Sequence, residues 1–332
     1  MGKKSKTPGE QHLILPAHAS VGSAIVDTHT HLLSTFTSYR ERYPAGKYET
    51  VYDFVRGVYA GLNIEAVVDV WCEAPVMKEY MELADTAHQG DDRWGGVGYW
   101  FVMGVHPHQA SQYNDAVEQD ILKAMAHPRC VGWGEMGLDY HYDNSPRDIQ
   151  QEVFTRQLRH AVTLGKSLTI HTREAEEDTE RILKSEVPRD HKIHIHCFTD
   201  SPEFALRLLD HFPNLCIGIT VSYSTNLNTS NLLRQMIQTP SASNSSPLRI
   251  LLETDAPYMI PANIYTSLTT PEMKGKRLPL CHTGMIPWTA DFVAGVLNED
   301  GSGDEERKIE SMWDATNVMK VARDNAKAIY GV

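Results

Sequence analysis

Ala24-Ile25-Val26-Asp27-Thr28-His29-Thr30-His31 is the stretch that decides how this chain is read. An apolar run of this kind predicts a β-strand, in which residues two apart face the same side, so His29 and His31 point together with Asp27 behind them. Alone, a His-x-His pair is an ordinary strand end on which two histidines alternate. Here the ending recurs. Short apolar runs close in Gly104-Val105-His106-Pro107, Gly134-Glu135-Met136-Gly137-Leu138-Asp139, His171-Thr172-Arg173, His194-Ile195-His196-Cys197-Phe198 and Glu253-Thr254-Asp255-Ala256-Pro257. Histidines and carboxylates placed by chance would scatter over helices and loops. Gathered at the carboxyl ends of strands, they sit where a (β/α)8 barrel builds its active site. Imidazoles and carboxylates clustered there point to a metal-dependent enzyme.

Outward from that stretch, strand and helix patterns alternate. Strands are expected near residues 24–29, 64–71, 97–104, 130–135, 167–171, 192–197, 215–219 and 249–254, the number a barrel needs. Helical periodicity separates them, as over 148–164, with Val153, Phe154, Leu158, Ala161 and Val162 apolar, and over 202–211, with Phe204, Ala205, Leu208 and Leu209. Such alternation implies parallel strands joined by right-handed crossovers. The expected fold is an α/β (β/α)8 TIM-like barrel, a single domain over 23–332 that closes with helices near 289–298 and 306–330. Residues 1–22 mix charge, Pro and Gly without periodicity and read as a flexible tail, with Lys3-Lys4-Ser5-Lys6 either a weak nuclear signal or solvated charge. Two segments break the rhythm: a polar insertion at 238–247, and a long loop, 258–287, that leaves the eighth strand and overhangs the proposed site. That loop carries Lys274, Lys276 and Arg277, a solvated cluster or a basic patch facing substrate.

Composition bounds the partners. The 332 residues, 41% hydrophobic, can bury a large core. A formal net charge of -12 argues against general attraction to nucleic acid or to an anionic membrane, so any phosphate must be held locally. The five cysteines, Cys72, Cys130, Cys197, Cys216 and Cys281, are odd in number and lack Cys-x-x-Cys spacing, and no signal peptide precedes them. Reduced thiols in a cytosolic or nuclear protein are the expectation. No apolar run approaches the roughly 20 residues that span a bilayer.

With these motifs in order, the chain resembles the TatD family of metal-dependent hydrolases, the TatD DNases, a branch of the amidohydrolase-like barrels, in a fungal-type form. The motifs are DTHTH, GVHPH, GEMGLDY, HTREAEEDT, HCF and ETDAPY, and Asp324-Asn325-Ala326-Lys327-Ala328-Ile329-Tyr330-Gly331 is similar to the family's closing asparagine segment. Each is weak singly, but together they run from Ile25 to Gly331. The resemblance implies two divalent ions, one held by His29, His31, Glu135 and Asp255 and the other by Glu135, His171 and His196, with Glu135 bridging. Donor chemistry agrees, since a carboxylate can bridge ions about 3.5–4 Å apart, and imidazoles suit Zn, Mn, Fe or Ni better than Mg or Ca alone. Two cations, Zn, Mn or Mg, are therefore the expected cofactors. A hydroxide bridging them would be the nucleophile, and Asp255 would also accept its proton, Glu135 and Asp255 being the catalytic pair. Taken alone, Asp255 would equally serve as a helix N-cap before Ala256-Pro257.

Beside the ligands, His106 is expected to face the cavity and touch phosphate or leaving group, or else to cap a turn. Arg173 is placed to fork onto a phosphate oxygen or to pair with Glu174 or Glu177. Asp27 and Glu253, two residues before ligands, would orient them. His12, His18, His88, His127, His160, His191, His211 and His282 read as surface or capping residues, while His108, His141 and His194 stay open. The family's basic-Asn-Glu-Pro stretch appears here as Lys274-Gly275-Lys276-Arg277-Leu278-Pro279, a departure that bears on substrate recognition. The function implied is a metal-dependent phosphodiesterase, a 3'-5' exonuclease-like DNase acting on DNA ends. The alternatives are an ester or amide hydrolase, such as a D-aminoacyl-tRNA deacylase, and a partner-binding protein with vestigial activity. A monomer without membrane association, in cytoplasm or nucleus, is expected, with a protein partner left open.

Overall fold

A computed structural model describes residues 7–20, 22–221, 227–238, 248–299 and 313–332. Eight parallel strands hydrogen-bond in chain order: β1 (Ile25–Thr30), β2 (Ile64–Trp71), β3 (Gly98–Met103), β4 (Cys130–Asp139), β5 (Ser167–Arg173), β6 (Ile193–Ile195), β7 (Leu215–Ile219) and β8 (Ile250–Leu252). The helices are α1 (Leu32–Arg42), α2 (Val51–Val58), α3 (Tyr80–His88), α4 (Asp115–Met125), α5 (Arg147–Thr163), α6 (Glu176–Glu186), α7 (Pro202–His211), α8 (Leu227–Gln238), α9 (Ile286–Asn298) and α10 (Ala315–Tyr330). The barrel expected from the alternation is the fold observed. Its seam closes between β1 and β8, where Thr30 bridges Ala256 in parallel, His31 N–H donates to Ala256 O (2.9 Å) and Asp255 N–H donates to His29 O (2.9 Å).

Helices cover one face of the sheet and side chains fill the other, so the strands are mostly buried and read as apolar runs. Val26, Ala66, Val68, Val70, Val102 and Leu251 form the inner cluster, which Ile329 and Tyr330 of α10 join. Helix ends follow local chemistry. Asn114, Ser201 and Asp314 cap α4, α7 and α10 through their side chains, and Gly331, at φ 78, ends α10 in the left-handed conformation.

The structure adjusts several expectations. β4 and β5 run on to Asp139 and Arg173, because each keeps pairing with the other past the site. Described residues of the expected tail pack against the barrel: Glu10–Leu13 forms a 3-10 turn, Leu13 is fully buried, and its carbonyl accepts from His282 Nε2 (3.0 Å). His282 is thus a buried capping residue. The loop after β8 folds into three 3-10 turns with its own apolar cluster, including Ile264, Met273, Leu278 and Trp288. Residues 1–6, most of the 238–247 insertion, 222–226 and the start of the expected last helix lie outside the described residues.

Candidate metal centre

Two one-residue bulges aim the site. In β4, Trp133 pairs with Leu168 and Met136 with Ile170, so two residues, Gly134 and Glu135, oppose Thr169 alone. The extra residue turns Glu135 into the barrel. In β1, Asp27 pairs with Val67 and Thr30 with Asp69, again three steps against two. The alternation breaks there, and Asp27 is not behind His29 and His31, as strict period-two reading expected. Its carboxylate lies on the outer side, accepting from Thr254 Oγ1 (2.6 Å) and Thr283 Oγ1 (2.8 Å). It steadies the end of β8 from outside, next to Asp255.

The structure brings all six expected ligands together. Glu135 Oε1 lies 2.8 Å from His196 Nε2, 2.9 Å from His171 Nδ1 and 3.3 Å from His106 Nε2, while Oε2 lies 3.4 Å from His29 Nε2. Asp255 Oδ1 lies 3.5 Å from His31 Nε2 and 3.7 Å from His29 Nε2. Three donor sets are compact enough to hold an ion: His29, His31 and Asp255; His29, Glu135 and His196; and His106, Glu135 and His171. The donors of the second set implied by resemblance also converge: His171 Nδ1 lies 3.2 Å from His196 Nε2, and both face Glu135 Oε1. Asp255 caps no helix; it sits at φ 50 in a turn, a conformation Asp tolerates better than most residues.

Ring tautomers can be read from the outer nitrogens. His31 Nδ1–H donates to Val70 O (3.2 Å), and His171 Nε2–H donates to Asp139 Oδ2 (3.2 Å), which leaves the other nitrogen of each aimed inward. A fixed outer partner, with the inner nitrogen given over to the metal once its proton is lost, is what a metal-ligating histidine requires. His106 is the reverse: its Nδ1 accepts His108 N–H (3.0 Å), so Nε2 carries the proton and donates toward Glu135. Burial pushes His29 down to about 3 and His106 down to about 4. Burial also opposes protonation of His31 and His171, but Asp255 for the first, and Asp139 and Glu135 for the second, carry each up to about 9. Glu135, which burial alone would neutralise, is held well below the usual carboxylate range by His196 and His106.

The donor set fits divalent cations. Both nitrogens of His29 and Nδ1 of His196 are buried without a hydrogen-bond partner, a state that costs free energy unless another charge serves them. Donors at 2.0–2.1 Å in tetrahedral array around one Zn stand roughly 3.3 Å apart. The 3.4–3.7 Å separations of His29, His31, Glu135 and Asp255 match that better than they match hydrogen bonds.

Around the donors stand further polar residues, some of which escaped the sequence reading. Asp139 is the main one: besides His171 it binds His108 Nε2 (2.9 Å), and its other oxygen accepts Tyr142 N–H (3.1 Å). Glu253 accepts Cys197 N–H and lies 2.8 Å from His194 Nε2, whose Nδ1 meets the Tyr330 hydroxyl at 2.8 Å. Burial pushes the Glu253 carboxyl up to about 8. His141 pairs with Glu174 (2.7 Å), so Glu174 is engaged away from Arg173, whose guanidinium lies 5.0 Å over the Tyr142 ring. A cavity of about 1180 Å³ opens over the centre, lined by Arg173, Tyr142, Tyr258 and, of the donors, His31, Glu135, His171, His196 and Asp255. Lys274, Lys276 and Arg277 are not among its lining residues, and Arg277 stacks on Tyr265 instead.

Comparison with known proteins agrees with this geometry. The family model of TatD-related DNases matches residues 26–331. The human 3'-5' RNA nuclease TATDN2 is 35% identical over 280 residues, which cover 80% of this chain and 32% of that protein, so the chain spans about a third of that relative. The 3'-5' ssDNA/RNA exonuclease TatD of Escherichia coli (strain K12) is 31% identical over 203 residues, 61% of this chain and 72% of that one. Among solved structures, a TatD family hydrolase from Entamoeba histolytica superposes with a TM-score of 0.68 at 16% identity, covering 92% of this chain and 97% of its own, which shows a shared fold.

Proposed function

The chain belongs to the family of TatD-related DNases, and from that premise we propose that it is a metal-dependent hydrolase that releases nucleotides from the 3' end of single-stranded nucleic acid. The observation that carries the reading is the pair of preset tautomers at His31 and His171, whose inner nitrogens converge with Nε2 of His29 and of His196 on Glu135 and Asp255. His29, His31 and Asp255 would hold one cation and His171 and His196 a second, with Glu135 shared between them. Zn, Mn or Mg in those places would polarise a scissile phosphate and lower the pKa of a water to about 7. Asp255, kept ionised by His31 and His29 against the effect of burial, accepts the proton of the attacking water. His106 Nε2–H, neutral at physiological pH, donates to an oxygen of the phosphate. Arg173 forks onto another phosphate oxygen from the cavity wall.

An ester or amide hydrolase would use the same centre. Arg173, with no carboxylate partner among the described residues, favours phosphate, and two relatives are named as nucleases. The test is a matched assay of end-labelled single-stranded DNA and RNA, an acyl ester and a D-aminoacyl-tRNA, each with Mn²⁺, Zn²⁺ or EDTA. Metal-dependent shortening of the nucleic acids from the 3' end is expected. Ester or acyl-tRNA cleavage without any release of nucleotides would sink the nuclease reading.

A further inference from the structure

Arg173 is the one lysine or arginine among the described residues lining the cavity, and the chain as a whole is acidic. A strand held only by its phosphates would find little here, so grip must come from its bases. The rim supplies the means. Of the five large apolar or aromatic side chains left most exposed among the described residues, Tyr142, Leu227 and Tyr258 all line this cavity. Tyr142 is 55% exposed and Tyr258 61%.

The two tyrosines are placed alike. Each stands three residues beyond a carboxylate of the site and ties its N–H to that residue, Tyr142 to Asp139 Oδ1 (3.1 Å) and Tyr258 to Asp255 O (3.0 Å). One follows β4 and the other β8, which lie on opposite sides of an eight-stranded ring. The rings therefore flank the donors from either side. Tyr142 is further steadied by the Arg173 guanidinium and by edge contacts with His108 and His141, at 5.4 and 4.7 Å between ring centroids. A ring held in place before the ligand arrives loses little freedom on stacking.

We propose that Tyr142 and Tyr258 form a two-sided stacking platform for the unpaired bases flanking the scissile phosphate, so that the site selects single-stranded ends. The placement of that phosphate rests on the nuclease reading; the platform itself is tested by binding. Because both rings are exposed, truncating them removes no core packing. The probes are two 5'-fluorescein DNA decamers, one natural and one with abasic tetrahydrofuran residues at its last two 3' positions. Anisotropy is followed in EDTA, where no cleavage occurs. The natural end is expected to bind roughly 5- to 150-fold more tightly, the range one stacked base confers. Tyr142→Ala and Tyr258→Ala should each move that ratio toward one, and the Phe substitutions should preserve it. Equal binding of the two ends, absence of binding included, or a ratio indifferent to both Ala substitutions overturns the platform. Cleavage of the same strands in Mn²⁺ separates the two ideas. Base-dependent binding without nucleotide release would remove the nuclease reading and leave the platform, whereas hydrolysis of both ends at one rate would do the opposite.

Discussion

Glu135 is the residue on which the centre depends, because its two oxygens are within reach of four imidazoles. Glu135→Gln keeps the volume and removes the charge, so metal content and turnover should both collapse while the circular dichroism spectrum stays that of the parent. His171→Ala and Arg173→Ala should then separate holding metal from holding phosphate. The first is expected to lose activity in step with metal content and to recover in part with excess Mn²⁺. The second should keep its metal and lose about ten- to a hundredfold in turnover, the worth of one charge-assisted hydrogen bond of roughly 1.5–3 kcal/mol. Rescue of Arg173→Ala by Mn²⁺ would show that its role is misassigned. Loading should also depend on pH with a definite sign. Without metal, His31 and His171 stay protonated up to about 9, and a cation must displace the inner proton of each. In the metal-free fold these raised values stabilise fully below the unfolded value near 6.5, and that contribution fades as pH rises through 9. Metal affinity therefore rises, and metal-free stability falls, over one window. The difference in melting temperature between Mn²⁺ and EDTA samples should widen from pH 6.5 to 9, and a constant difference would contradict the tautomer assignment.

At the scale of elements, strand endings were legible and strand irregularities were not. The alternation of apolar runs with helical periodicity marks all eight strands to within a few residues, and the six donors stand out because imidazoles and carboxylates are rare at the ends of buried strands. Asp27 was misplaced because strict period two cannot see a bulge, which is a property of pairing between two strands. Asp139 escaped for a related reason: its worth lies in which nitrogen of His171 it holds, and that is fixed only once β4 and β5 extend side by side. Gly134 shows how tightly the β4 bulge is built. At φ 153, a Cβ on it would lie 2.3 Å from Thr169 O, a backbone atom with no room to retreat. Gly134→Ala is accordingly expected to cost about 1–3 kcal/mol by overpacking and to withdraw Glu135 from its imidazoles. Denaturant melts and metal analysis would check this. A variant with parental stability and metal content would mean that the bulge does not set the position of Glu135.

The whole molecule divides its work between two ends of one barrel. At the amino end of the strands α10 acts as a plug, with Ser167 Oγ donating to Ile329 O (2.6 Å), Asn325 Nδ2 donating to Leu248 O and Ile250 O, and the Tyr330 hydroxyl meeting Thr169 and His194. Rigidity there carries through His194 and Glu253 to the turn after His196 at the other end. Charge is divided as well: the chain carries -12 overall, yet the donors collect where cations would be concentrated, and Arg173 is the cavity's permanent positive group among the described residues. A nuclease built on a basic groove releases many counterions on binding and weakens steeply with salt. This barrel should behave otherwise. One neutralised phosphate on a single strand gives a slope of about -0.7 in log affinity against log salt, so raising KCl from 50 to 200 mM should weaken binding only about threefold. Anisotropy titrations of a single-stranded decamer across that range, at fixed Mn²⁺ with the scissile linkage blocked, would measure it. A loss of a hundredfold or more would mean that several unrecognised cations track the strand, and that stacking and the metal centre are not its main holds.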